Sequence, residues 1–131
     1  MPSEHHPTDY AWGQDPEAVA FPCSLCDQPA GTVKLAPEEG VLVIDGLVCR
    51  ITHPLGPTDD VPRLREILAL RDARALNALN GEWASFYCPT CDRSYCAAHW
   101  QLDTRFDDDW GSWYDCTYGT CPAGHRRVVD D

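Results

Sequence analysis

The sequence has no apolar run long enough to cross a bilayer. Its longest, Val41-Leu42-Val43-Ile44, falls far short of the roughly 20 residues a membrane helix needs. Met1 to Pro22 shows no basic cap followed by an apolar stretch, so no secretory signal is read there. Positive charge is scarce as well: 10 Lys and Arg stand against 21 Asp and Glu, a formal net charge of −11. Phosphate backbones repel such a chain unless its basic residues cluster. The clusters present, Arg63/Arg65, Arg71/Arg74 and Arg126-Arg127, all have acidic neighbours. Neither nucleic acid nor membrane is therefore an expected partner.

Cysteine, by contrast, is abundant, with eight in 131 residues. Without an export signal the expected compartment is the reducing cytoplasm, where dense cysteines are more often metal ligands than disulfides. A chain this short buries only a modest core, and small cores commonly need a covalent or metal staple.

Residues 1–20 carry Pro2, Pro7, Gly13 and Pro16 among polar residues without periodicity, which reads as a flexible tail. His5-His6 within it is read as solvated rather than as a ligand pair. The remainder, 21–131, is expected to be one domain with a strand and helix insertion at about 31–83. Thr32–Ala36 and Val41–Asp45 read as strands of a hairpin turning through Pro37-Glu38-Glu39-Gly40, and Leu47–Thr52 as a third strand. Thr58-Asp59-Asp60 ahead of Pro62 is a helix start, with Leu64, Ile67 and Leu68 on one face. Asp72 reads as a second cap, placing Ala75, Leu76 and Leu79 inward before Gly81 ends the helix. From Trp83 onward the chain holds five of the eight cysteines and four of the five tryptophans, and little regular pattern is expected.

Four pairs have ligand spacing: Cys23-x2-Cys26, Cys88-x2-Cys91, Cys96-x2-His99 and Cys121-x3-His125. A short spacer lets both side chains of a tight turn converge on one ion, with backbone amides pointing at the sulfurs. Eight ligands fit two four-coordinate ions, and thiolate with imidazole suits tetrahedral zinc. Two zinc ions are therefore expected, in closed sites that leave no ligand position for a catalytic water. Tyr95–Trp100 reads as a short helical turn presenting Cys96 and His99, and a treble-clef arrangement joins such a turn to a distant knuckle. Cys23, Cys26, Cys96 and His99 would then form the first site, and Cys88, Cys91, Cys121 and His125 the second. The sequential alternative groups Cys88, Cys91, Cys96 and His99, leaving Cys23, Cys26, Cys121 and His125.

The stretch Phe86-Tyr-Cys-Pro-Thr-Cys-Asp-Arg-Ser-Tyr-Cys-Ala-Ala-His-Trp resembles the centre of RING-type cross-brace fingers. It is closer to the fingers of stress-associated proteins, through the spacing of Cys91, Cys96 and His99. The terminal turn Cys121-Pro-Ala-Gly-His125 is similar to that of small uncharacterised bacterial zinc proteins. The resemblance implies a cross-brace fold and, from the eukaryotic relatives, work around ubiquitin. A ligase-like role of that kind needs an exposed apolar patch by the first knuckle, for which Leu25 and Trp100 are the candidates. More than sixty residues between Cys26 and Cys88, where compact fingers have a short loop, depart from that pattern.

Two cysteines remain. Cys49 reads as a small core residue of a strand, although with His53 it forms half of a conceivable third site. Cys116, with four residues between it and Cys121, is a reserve ligand. Either thiol would be the nucleophile of a cysteine-dependent enzyme, for which no activating partner is visible. Asp107, Asp108 and Asp109 with Trp110 and Trp113 form an acidic–aromatic segment suited to a basic protein partner. Three consecutive aspartates lack the alternate spacing of a calcium loop. The expectation is an α+β zinc-stapled domain acting as a non-catalytic binding or adaptor module.

Overall fold

A computed structural model describes residues 18–107 and 113–130. Its first half is an antiparallel meander of four strands in the order β1-β2-β3-β4: β1 (Val19–Pro22), β2 (Pro29–Ala36), β3 (Val41–Asp45) and β4 (Arg50–Pro54). β1 begins inside the stretch read as tail. Residues of β3 alternate, Leu42 and Ile44 buried between half-exposed Val41, Val43 and Asp45, as one covered face requires. The β2–β3 turn closes with Gly40 at a φ of 71°, a conformation that costs glycine little.

The third expected strand is displaced. Leu47 and Val48 belong to the connection, where the Gly46 amide donates to the Cys49 carbonyl at 3.2 Å, and pairing resumes only at Asp45–Arg50. Gly46 fits closely there: an added Cβ would lie 2.5 Å from the Ser85 hydroxyl, which would have to turn away. The shift leaves Cys49 exposed, which corrects the core assignment.

Two helices cover the sheet. In α1 (Val61–Leu70) the Asp60 carboxylate accepts the Arg63 amide at 3.0 Å, and Leu64, Ile67 and Leu68 are buried. The chain leaves α1 through Arg71 in the left-handed region, whose amide returns to the Ile67 and Leu68 carbonyls. Asp72 caps α2 (Ala73–Leu79) by accepting the Ala75 amide at 3.0 Å. Leu76 is fully buried and Ala75 half-buried, but Leu79 is 49% exposed, against the inward position expected. The reason is length. Asn80 is already extended, and a 3-10 turn at Gly81–Ala84 brings Trp83 and Ala84 into the core instead.

The resulting apolar core joins Phe21, Val33, Leu42, Ile44, Leu64, Ile67, Leu76 and Phe86. Phe86 packs on Phe21 with centroids 5.3 Å apart. Burying a side chain of this size stabilises by about 1.5–3 kcal/mol.

The last third is more regular than its sequence suggests. After the short pair β5 (Tyr87–Cys88) and β6 (Arg93–Ser94), strands β7 (Gln101–Asp107), β8 (Trp113–Thr120) and β9 (Arg126–Asp130) form an antiparallel sheet. Apolar alternation is nearly absent because polar cross-strand contacts replace it. Thr104 and Thr117 bond through their hydroxyls at 3.2 Å, and the Arg126 guanidinium lies 4.2 Å above the Tyr118 ring. Trp100 and Val129 pack closely against Gly119, where a Cβ would meet them at 2.9 and 2.8 Å. The architecture is α+β: three antiparallel sheets and two helices.

Candidate metal centre

Each knuckle is set by its own backbone. In the first, the Cys23 amide donates to the Gln28 carbonyl at 3.0 Å, and the Leu25 amide points at Cys23 Sγ at 3.4 Å. In the second, the Cys91 amide reaches Cys88 Sγ at 3.4 Å, and Asp92 takes a φ of 56° to turn the chain into β6. In the last, the His125 amide reaches Cys121 Sγ at 3.4 Å, with Gly124 at a φ of 94°. Cys96 and His99 flank and close a 3-10 turn, Ala97–His99, rather than a turn of α-helix.

The eight side chains gather in two groups, Cys23, Cys26, Cys96 and His99, and Cys88, Cys91, Cys121 and His125, with the ligand atoms of each group within 4.8 Å of one another. In chain order the pairs interleave, first with third and second with fourth. The Ser24 amide, which donates to the Ser94 carbonyl at 2.8 Å, holds the first knuckle against the strand that leads to its partner pair.

The spacing within each group fits one tetrahedral zinc. Bonds of about 2.3 Å to sulfur and 2.0–2.1 Å to nitrogen put neighbouring sulfurs roughly 3.8 Å apart, and sulfur and nitrogen roughly 3.6 Å apart. In the first group Cys26 Sγ lies 3.6 Å from Cys96 Sγ, and His99 Nδ1 lies 3.5 and 3.3 Å from Cys23 and Cys96. In the second, Cys91 and Cys121 are 3.7 Å apart, and His125 Nδ1 lies 3.7, 3.3 and 3.4 Å from Cys88, Cys91 and Cys121. Each histidine therefore faces its sulfurs through Nδ1. Two metal ions, one per group, are what this donor set holds, and its thiolate and imidazole chemistry selects zinc.

The electrostatics favour a cation in each group. Burial opposes ionisation of Cys23, yet the amides of Leu25, Cys96 and Cys26 outweigh it and bring the thiol down to about 6. Cys121 behaves alike: burial opposes, the His125 and Ala123 amides prevail, and the thiol falls to about 7. Burial, aided by the neighbouring thiols, pushes Cys96 and Cys88 upward. In each group one sulfur ionises readily while a second resists, and a cation among the sulfurs offsets the charge that their ionisation gathers.

Other candidates fall elsewhere. The Cys49 thiol donates to Asp130 Oδ1 at 3.1 Å, and burial together with that carboxylate pushes it up to about 11. A thiol held protonated is a poor nucleophile. Cys116 is buried, apart from both metal groups, with its sulfur 3.8 Å from Asp115 Oδ2. His53 does not join Cys49: its Nε2 bonds Asp59 at 3.2 Å and its ring packs on Trp83 at 4.9 Å. Leu25 is 51% exposed, but Trp100 is buried, its indole N–H donating to the Tyr95 carbonyl at 2.8 Å, so the two make no joint surface patch. Asp108, Asp109 and Trp110, like His5 and His6, lie outside the described residues, and Asp107 and Trp113 are placed only as the paired ends of β7 and β8.

One residue that sequence reasoning missed ties the metal half to the rest. The Arg127 guanidinium donates to the carbonyls of Tyr87 at 2.6 Å, Gly81 at 3.0 Å and Ala84 at 3.2 Å, and to Asn77 Oδ1 at 3.3 Å. Burial lowers its pKa, opposed by the nearby Cys88 sulfur. The Arg126-Arg127 doublet, where the outward strand alternation turns one arginine each way, was the only signal for it.

Fold and site together define a small α+β domain with two interleaved Cys3His metal centres. The chain belongs to the family described as Domain of unknown function (DUF8328), whose model matches residues 14–131. No curated protein and no solved structure matches the chain. Among the described residues, no helix is long and apolar enough to cross a membrane.

Proposed function

We propose that this chain is a non-catalytic binding module for a basic protein segment, built on two structural zinc ions in a cross-brace related to RING-type fingers. The observation that carries the reading is an exposed aromatic pair on the β7–β8 hairpin. Phe106 and Tyr114 pair across it, 54% and 44% exposed, with ring centroids 6.3 Å apart. In sequence they bracket Asp107, Asp108, Asp109, Trp110 and Trp113. Aromatic faces beside carboxylates attract arginine and lysine by cation–π contact and ion pairing. The closed ligand sets support a structural role for the metals, since a catalytic zinc keeps a position for water.

The test is titration of the zinc-loaded chain with an arginine-rich decapeptide at physiological salt, followed by tryptophan fluorescence. Saturable binding that weakens about tenfold in Phe106→Ala and Asp108→Asn is expected. Binding unchanged by both substitutions, or none to the unaltered chain, would overturn the reading.

A further inference from the structure

Although lysine and arginine number only 10 in the whole chain, three arginines line one cavity of about 280 Å³. Arg71 stands at the left-handed end of α1, Arg74 in the first turn of α2 and Arg93 in β6. Ser24, in the first knuckle, and Ser94, in β6, join them. The cavity thus sits where the apolar half of the molecule meets the first metal centre.

Arg71, Arg74 and Arg93 against Asp72 and Asp92 leave the cavity lining, among the described residues, with a net charge of +1. Of the two carboxylates, Asp72 is oriented as the α2 cap and Asp92 accepts the Tyr87 hydroxyl at 2.5 Å, and both keep their negative charge. Among the described residues, the Arg74 and Arg93 guanidinium groups form no ion pair or hydrogen bond, and Arg71 commits only its Nε, to the Ala20 carbonyl at 2.9 Å. The frame is fixed in advance. The Arg71 amide is bonded to the Ile67 and Leu68 carbonyls, and the 2.8 Å Ser24–Ser94 backbone bond joins two of the walls.

We propose that this cavity binds a phosphate group carried on a small organic body, that is, a phosphomonoester. Three guanidinium groups, one with its Nε already committed, offer more donors than the two oxygens of a carboxylate accept, whereas the three terminal oxygens of a phosphate can take them up. The volume lies near the lower end of ligand pockets, about 300 Å³, which suits a small molecule. Pro22 and Ala73 give the carbon skeleton an apolar wall. This ligand is opposite in charge to the basic partner proposed above and is held by other elements, so the two ideas stand or fall separately.

The experiment is a titration of the full-length zinc-loaded chain with O-phosphoserine, inorganic phosphate and serine at constant ionic strength, followed by amide chemical shifts. O-phosphoserine is expected to saturate, inorganic phosphate to bind more weakly and serine not to bind. Arg74→Gln and Arg93→Gln are each expected to weaken O-phosphoserine about tenfold, the cost of one charge-assisted hydrogen-bonding partner. Both residues are exposed, so both variants should keep two zinc ions, measured on each sample. Arg65→Gln, on the exposed face of α1 away from the cavity lining, should change nothing. Equal affinity for inorganic phosphate would overturn the organic body. No saturable binding, or an equal loss in Arg65→Gln, would overturn the site.

Discussion

The half of the molecule made of β1–β4, α1 and α2 and the half made of β5–β9 solve the same problem with different chemistry. The first buries Phe21, Val33, Leu42, Ile44, Leu64, Ile67, Leu76 and Phe86 in one apolar cluster. The second buries Cys88, Cys96 and Cys121, with Cys23 reaching in from the first half, beside Tyr95, Trp100 and Val129. Apolar burial is non-directional and spread over many contacts. A tetrahedral ion concentrates its stabilisation in four bonds, so it holds strands whose own side chains are polar. The comparison teaches that the second half's sheet depends on metal in a way the first half's does not, although Cys23 and Cys26, at the β1 end of the first half, tie the two together.

Metal removal should separate the halves most sharply. Structural zinc supplies on the order of 10 kcal/mol to small domains. A strong chelator is expected to abolish hydrogen-exchange protection in β7–β9 while leaving measurable protection at the β2–β3 pairing. Equal, unchanged protection in both halves would erase the distinction. Phe86→Ala tests the apolar half from within. Losing a fully buried phenylalanine ring should cost about 3–5 kcal/mol in chemical denaturation, with both metals retained in the folded state.

The seam between the halves is next in size. Arg127→Met leaves the Gly81, Ala84 and Tyr87 carbonyls without their shared donor. Hydrogen bonds from a charged donor are worth about 1.5–3 kcal/mol. A denaturation midpoint identical to that of the unaltered chain would show that the guanidinium does not join them. The smallest effect is expected at Cys49→Ser, which removes one exposed thiol outside both metal groups and should leave the zinc content untouched. Loss of an ion there would mean that the ligand sets are wrong.

Much of the first half was legible because its physics is periodic. The Asp60 and Asp72 caps, the Leu64–Ile67–Leu68 face and the β2–β3 hairpin all follow from local pattern. The misses occurred where tertiary contact overrode pattern. Leu79 turns outward because the chain breaks to bring in Trp83, and Cys49 is exposed because the Gly46 turn, pressed against Ser85, moves the strand three residues on. The β7–β9 sheet escaped notice because arginine–tyrosine and threonine pairs line it rather than alternating apolar residues. In the metal half, ligand spacing identified pairs within each turn. It left both groupings of those pairs open, because pairing is a long-range property of the fold.

That grouping is the central claim, and one double substitution addresses it directly. In the interleaved arrangement Cys26 and Cys96 share an ion, with sulfurs 3.6 Å apart, whereas a sequential arrangement places them on different ions. Native mass spectrometry of Cys26→Ser/Cys96→Ser should therefore find one zinc ion per chain, against two in the unaltered protein. Two in the unaltered protein but none in the double variant would contradict the interleaved centres.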